Sequence, residues 1–128
     1  MKIGDVPDAL FQAIIYLEKL ISSDSHVLIE FIPEWNSVRN KLKNNIEAMH
    51  YLRDAVTGYN YARTWSYIDN RARNAIAKCL ASVENTEEML EHFAKTVPDN
   101  YKYEPKMICK ILRECRNAIT AAVPAVPS

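Results

Sequence analysis

Apolar residues recur at steps of three and four along most of the sequence, which is the spacing of one face of an α-helix. The first such stripe follows Pro7, a residue that suits the first turn of a helix, and it predicts a helix over about 7–22. The apolar positions of this stripe are Leu10, Ile14, Leu17 and Ile21. Serine and aspartate residues at 22–25 then favour a turn.

A second helix is predicted to begin near His26 and to end at Gly58, a residue suited to a left-handed cap. Its stripe continues across Pro33, where we expect a kink or a fresh helix start. The apolar positions of this stripe are Leu28, Phe31, Trp35, Val38, Leu42, Ile46, Met49, Leu52 and Val56.

A third stripe starts out of phase with the second, because the step from Val56 to Tyr61 is five residues, and this predicts a break at 57–60. Two interpretations remain beyond the break. Either one helix covers about 61–97, or a second break near 84–86 leaves a short extra helix that Thr86 caps, with Glu87 and Glu88 in its first turn. No Gly or Pro occurs in this stretch, which favours one helix.

A last helix is predicted from Pro105 through about Ala122. Its apolar positions are Ile108, either Ile111 or Leu112, Cys115 and Ile119. Helices with single apolar faces can bury those faces only against one another. The sequence therefore predicts an all-α fold, an antiparallel four-helix bundle, or five helices if the third breaks near residues 84–86.

The predicted bundle forms one domain over residues 1–122. Pro124 and Pro127 stand in an uncharged segment, so 123–128 is expected to be a Pro/Ala-rich tail or the start of a linker. From that composition we expect this domain to be the amino-terminal part of a larger protein.

Composition argues against catalysis by loop-built sites. With Gly 2 in 128 residues, neither a phosphate-binding Gly-rich loop nor a Gly-x-Ser-x-Gly turn is present. Glu47 and His50 have the Glu-x-x-His spacing of a di-iron bundle, but the sequence lacks a second copy. We therefore predict no enzyme activity, no catalytic residue, no metal, no cofactor and no small-molecule substrate.

Three cysteines, Cys79, Cys109 and Cys115, lack the paired spacing of a zinc module, and their odd number favours reduced thiols and a cytoplasmic location. The two longest uncharged stretches, at 9–17 and 117–128, are far shorter than the about 20 apolar residues of a membrane-spanning helix.

The net charge of zero is a sum of unequal segments. Residues 1–34 carry −4, 35–83 carry +5, 84–104 carry −4 and 105–128 carry +3. The positive segment predicts a basic face on the second and third helices, and Tyr and Arg there suit protein contacts. The candidate partner-binding residues are Arg39, Lys43, Arg63, Tyr67, Arg71, Asn74 and Lys78. An ordinary solvated helix face is the alternative.

These patterns favour a noncatalytic interaction domain, adaptor or regulatory, that binds an acidic or amphipathic protein segment and can also self-associate. Architecturally, the predicted bundle resembles the amino-terminal four-helix bundles of necroptosis executioners and fungal cell-death proteins. That resemblance rests on architecture without a shared motif, and it implies action on an anionic membrane surface as the alternative function. Nucleic-acid binding is a weaker alternative, because the chain has no net positive charge.

Overall fold

Four α-helices account for most of the structure. The computed structural model describes residues 1–22, 30–64 and 70–123, and the side chains of 62–64 and 70–72 lie outside that description. The helices are α1 (Val6–Ser22), α2 (Trp35–Thr64), α3 (Asn70–Thr96) and α4 (Tyr103–Ala122). Single 3₁₀ turns at Ile3–Asp5 and Asp99–Tyr101 precede α1 and α4. No strand occurs in the described ranges, and the predicted all-α bundle is confirmed.

The helices run alternately up and down around a closed ring. Helices α1 and α3 each pack on both α2 and α4. Near one end of the bundle, Asn60 Nδ2 donates to the Ile3 carbonyl over 3.4 Å, and Tyr59 Oη donates to the Ala122 carbonyl over 2.7 Å. The start of the chain and the ends of α2 and α4 therefore meet at this end. The junction between α3 and α4 lies at the opposite end.

The apolar stripes read from the sequence point into the core. All four positions predicted for the first helix are buried, and Trp35, Leu42 and Val56 are buried on α2. On α4 the stripe uses Leu112, which is fully buried, rather than the half-buried Ile111. Burial of these faces supplies the main drive for folding, at about 25 cal/mol for each Å² of apolar surface removed from water.

Of the kink and the fresh helix start expected at Pro33, the structure has the fresh start, because α2 begins at Trp35. Glu34 has a φ of 62°, in the left-handed region, and its carbonyl accepts hydrogen bonds from the backbone N–H groups of Ser37 and Val38. Glu34 therefore stands at the entry to α2 and turns the chain into it. The predicted start near His26 lies outside the described residues.

The predicted end of the second helix at Gly58 is wrong. Helix α2 continues to Thr64, and Gly58 lies inside it without a positive φ. The contacts of Tyr59 with Ala122 and of Asn60 with Ile3 explain the extension, because they outweigh the about 1 kcal/mol that glycine costs inside a helix. Tyr61 is consequently an exposed residue of α2 and not the first core residue of the third helix.

Helix α3 is continuous across 84–86, so the five-helix alternative is excluded. Thr86 is fully buried within the helix, where its hydroxyl donates to the Ser82 carbonyl over 2.8 Å instead of capping a new helix. The helix begins at Asn70 rather than near 61, and ends at Thr96, just before Pro98. No helix in the described ranges is both long and apolar enough to cross a membrane.

Candidate functional site

The predicted basic face is only partly described. Lys43, Asn74 and Lys78 are exposed, and Arg39 is half-buried with its Nε enclosed. Within the described residues, that Nε has no hydrogen-bond partner. The remaining members of the set fall outside the description of side chains: Arg63, Tyr67 and Arg71.

The structure does not bring the two ends of this predicted face together. Asn45 Nδ2 donates to Asn85 Oδ1 over 2.9 Å, and this contact sets the antiparallel alignment of α2 and α3. Lys43 is therefore level with the middle of α3, about nine residues from Lys78. At 1.5 Å per residue, the two lysines are separated by roughly 14 Å along the bundle.

A different charged surface lies between α3 and α4. At its centre, Glu87 of α3 is only 5% exposed. Arg116 of α4 donates two hydrogen bonds to this carboxylate, over 2.7 Å from Nε and over 3.2 Å from Nη2. Arg113 Nε lies 3.4 Å from the same carboxylate. A buried negative charge is thereby paired by two guanidinium groups of the facing helix.

Arg113 connects this centre to its surroundings. Its Nη2 also pairs with Glu91 and lies 3.7 Å from the Sγ atom of Cys109. Burial raises the pKa of the Cys109 thiol, because the ionised form would lose contact with water. Cys109 therefore contributes a neutral, apolar wall at physiological pH and not a reactive thiolate.

Toward the α3–α4 junction the surface opens into a groove of about 660 Å³, a size typical of ligand sites. Leu90, which is fully buried, and Ala94 lie beneath it. Four lysines surround it: Lys95, Lys102, Lys106 and Lys110. We call this part the lysine end.

Lys102 Nζ pairs with Asp99 Oδ1 over 2.9 Å. This hydrogen bond and the lysine charge lower the pKa of the Asp99 carboxyl. Within the described residues, the other three lysines of the lysine end form no ion pair. The lysine end is therefore strongly positive and open to an anionic ligand.

Helix stability does not explain the lysines on α4. Lys102 immediately precedes the helix and Lys106 lies in its first turn. The helix macrodipole makes this end positive, so cations there are unfavourable by a few tenths of a kcal/mol. The same dipole adds to the attraction for an anion. The placement is therefore costly for the free helix and useful for binding a negative group.

In the other direction the groove becomes acidic. A second depression is lined by Glu84, Glu87, Glu88, Glu91, Arg113 and Arg116. It shares Glu91 and Arg113 with the lysine end, so the two are consecutive parts of one groove. We call the part around Glu84 and Glu88 the acidic end. The whole groove thus changes sign along its length, with the Glu91–Arg113 pair at its midpoint.

Sequence reasoning missed this groove. Segment charge sums of −4 over 84–104 and +3 over 105–128 conceal it, because Lys95 and Lys102 lie in the negative segment. A signal was present in the steps of four from Lys102 to Lys106 and Lys110, which place three cations on one side of a helix.

The described histidine and cysteine residues do not assemble a metal site. His50 Nε2 lies 3.6 Å from Glu18 Oε1 at an exposed contact between α2 and α1. Among the described residues, no three His, Cys, Asp or Glu side chains are arranged to hold a metal ion.

Comparison with known proteins adds no assignment: no protein-family model, curated protein or solved structure matches this chain.

Proposed function

We propose that this bundle is a noncatalytic interaction domain that binds an acidic protein segment in the lysine end of the α3–α4 groove. The observation that carries the proposal is that four lysines line one groove, three of them without an ion pair among the described residues. An adaptor or regulatory role follows from binding without chemistry. The free thiols at Cys79, Cys109 and Cys115 support a reducing, cytoplasmic setting.

The spacing of the lysines favours an elongated ligand over a single small anion. Lys102, Lys106 and Lys110 follow one another by about one helical turn, so their row extends for roughly 12 Å. One phosphate group reaches only part of such a row. Carboxylates spaced by one turn along a helical segment match it.

The test compares the lysine end with the basic face predicted from sequence. The probe is a fluorescein-labelled 12-residue peptide with glutamates one helical turn apart and alanine or leucine between them. Binding is measured by fluorescence anisotropy against wild type, Lys106→Glu/Lys110→Glu and Lys43→Glu/Lys78→Glu. Both double variants change the net charge by the same amount at exposed positions, and circular dichroism checks that each folds.

We expect Lys106→Glu/Lys110→Glu to weaken binding at least tenfold and Lys43→Glu/Lys78→Glu to change it less than threefold. The reverse order would assign binding to the α2–α3 face and overturn the proposed site. Vesicles containing phosphatidylserine and a single-stranded RNA are tested in parallel. If either binds through Lys106 and Lys110 while the acidic peptide does not, the proposed ligand class is wrong.

A further inference from the structure

We infer that the acidic end of the groove orients the bound segment and selects a helix with acidic residues at one end and basic residues at the other. This inference rests on the proposed function, because it concerns the same groove. It adds a requirement for full affinity that the lysine end alone does not impose: positive charge on the partner about two turns from its acidic residues.

The charge balance along the groove supports this requirement. Glu87 is neutralised by Arg116, and Glu91 by Arg113. Arg116 Nη1 lies 3.8 Å from Glu84 Oε1, but Arg116 already donates twice to Glu87. Glu88 is exposed and forms no ion pair within the described residues. The acidic end therefore keeps an excess negative charge that faces the same ligand as the lysines.

The length of the groove sets the length of the segment. From Glu84 to Lys95, α3 advances about 16 Å, or three helical turns. A helical segment of about 12 residues spans this distance. Its acidic turn would lie against Lys95, Lys106 and Lys110, and its basic turn against Glu84 and Glu88. A uniformly acidic segment, or a nucleic acid, would place negative groups against these glutamates, so it would bind more weakly than a segment with one acidic and one basic end.

The experiment uses stapled 12-residue peptides of identical composition, so that helicity is equal. Two segregated peptides are used. One has two glutamates near its amino terminus and two lysines near its carboxyl terminus, and the other has the reverse order. In the interleaved isomer, the same residues alternate. Of the two segregated peptides, we expect the tighter binder to have about tenfold higher affinity for wild type than the interleaved isomer. The variant Glu84→Gln/Glu88→Gln should reduce this preference to threefold or less.

Glu47→Gln/Asp54→Asn is the matched control, because it removes two exposed carboxylates from α2, which does not border the groove. It should keep the tenfold preference. If segregated and interleaved peptides bind equally and Lys106→Glu/Lys110→Glu still abolishes binding, the orienting role is wrong and the proposed function stands. If no peptide binds in a manner that depends on Lys106 and Lys110, the proposed function itself fails.

Discussion

Arg116 holds Glu87 at two points, with Nε donating to Oε2 over 2.7 Å and Nη2 donating to Oε1 over 3.2 Å. Glu87 is 5% exposed, so these two bonds take the place of contacts with water. The hydrogen bonds to Glu87 in turn raise the pKa of the Arg116 guanidinium. The pair joins α3 to α4 through a buried charge at the centre of the groove.

Arg116→Met should lower the free energy of unfolding by about 2–4 kcal/mol, because it leaves the buried carboxylate with Arg113 alone. Urea denaturation at pH 7 measures the loss. Adding Glu87→Gln should recover at least half of it, since the unpaired charge is then gone. Lys110→Met, an exposed cation on the same helix, is the control and should change stability by less than about 0.5 kcal/mol. Equal losses for Arg116→Met and Lys110→Met would contradict a structural role for the pair.

Gly58→Ala should raise the free energy of unfolding by about 0.5–1 kcal/mol, because Gly58 is inside α2 and a Cβ atom there would meet nothing within 4 Å. Ala81→Gly, at an exposed position of α3, should lower stability by a similar amount. Thermal and urea denaturation measure both changes. A destabilising Gly58→Ala would mean that the helix ends in a left-handed residue at this position.

Above pH 9, the free energy of unfolding should fall, and part of the loss should come from ionisation of the Cys115 thiol in the unfolded chain. Burial raises the pKa of this thiol from 9.0 to about 12. The folded state therefore keeps the thiol protonated where the unfolded chain ionises it. The stabilising contribution is complete below pH 9 and is lost as pH rises toward 12, by about 1.4 kcal/mol per pH unit.

Comparison of wild type with Cys115→Ala tests this effect. The substitution leaves a cavity and lowers stability at pH 7, but it also removes the titrating group. The stability gap between the two proteins should narrow by about 1 kcal/mol between pH 7 and pH 10 in urea denaturation. Cys79→Ala, which removes a half-buried thiol, should show less narrowing. A constant gap for Cys115→Ala would show that the thiol does not control this loss.

Glu91→Gln should strengthen binding of the acidic 12-residue peptide about three- to tenfold. The Glu91 carboxylate pairs with Arg113 at the margin of the lysine end, so it competes with a ligand carboxylate for the same guanidinium. Fluorescence anisotropy at two salt concentrations measures the change, which should shrink at high salt. Glu47→Gln removes one exposed carboxylate from α2 and should alter affinity less than twofold. Equal effects of the two substitutions would argue against competition by Glu91.

The sequence was a good guide to the fold wherever the apolar period was unbroken. The stripe of α1 and the fresh start of α2 after Pro33 follow from local patterns, and both are confirmed. The exit from α2 does not, because Gly58 is a helix terminator by propensity alone. Contacts of Tyr59 and Asn60 overcome the tendency of Gly58 to end the helix, and the partners of these two residues lie more than fifty residues away in the sequence. No local pattern contains that contact.

The candidate site was less predictable than the fold. Charge sums over segments directed attention to α2 and α3, whereas the groove combines Lys95 of α3 with Lys106 and Lys110 of α4. The net charge of each part of the groove depends on which of its carboxylates already form ion pairs with arginine or lysine side chains. Glu87 illustrates the difficulty: in sequence it resembles a favourable residue in the first turn of a short helix, but in the structure it is a buried ion-pair partner in the middle of α3.

The start of the chain and the end of α4 meet beside the end of α2, and this arrangement has a mechanical consequence. Ile3 contacts Asn60 and Ala122 contacts Tyr59, so the two ends of the bundle's chain emerge at the same pole. Tension applied between them pulls at right angles to the seam between α1 and α4 rather than along it. The contacts of that seam then bear load one turn at a time. Under tension the first and last helices, α1 and α4, separate from the bundle before α2 and α3, which lie between them in the chain and are loaded last.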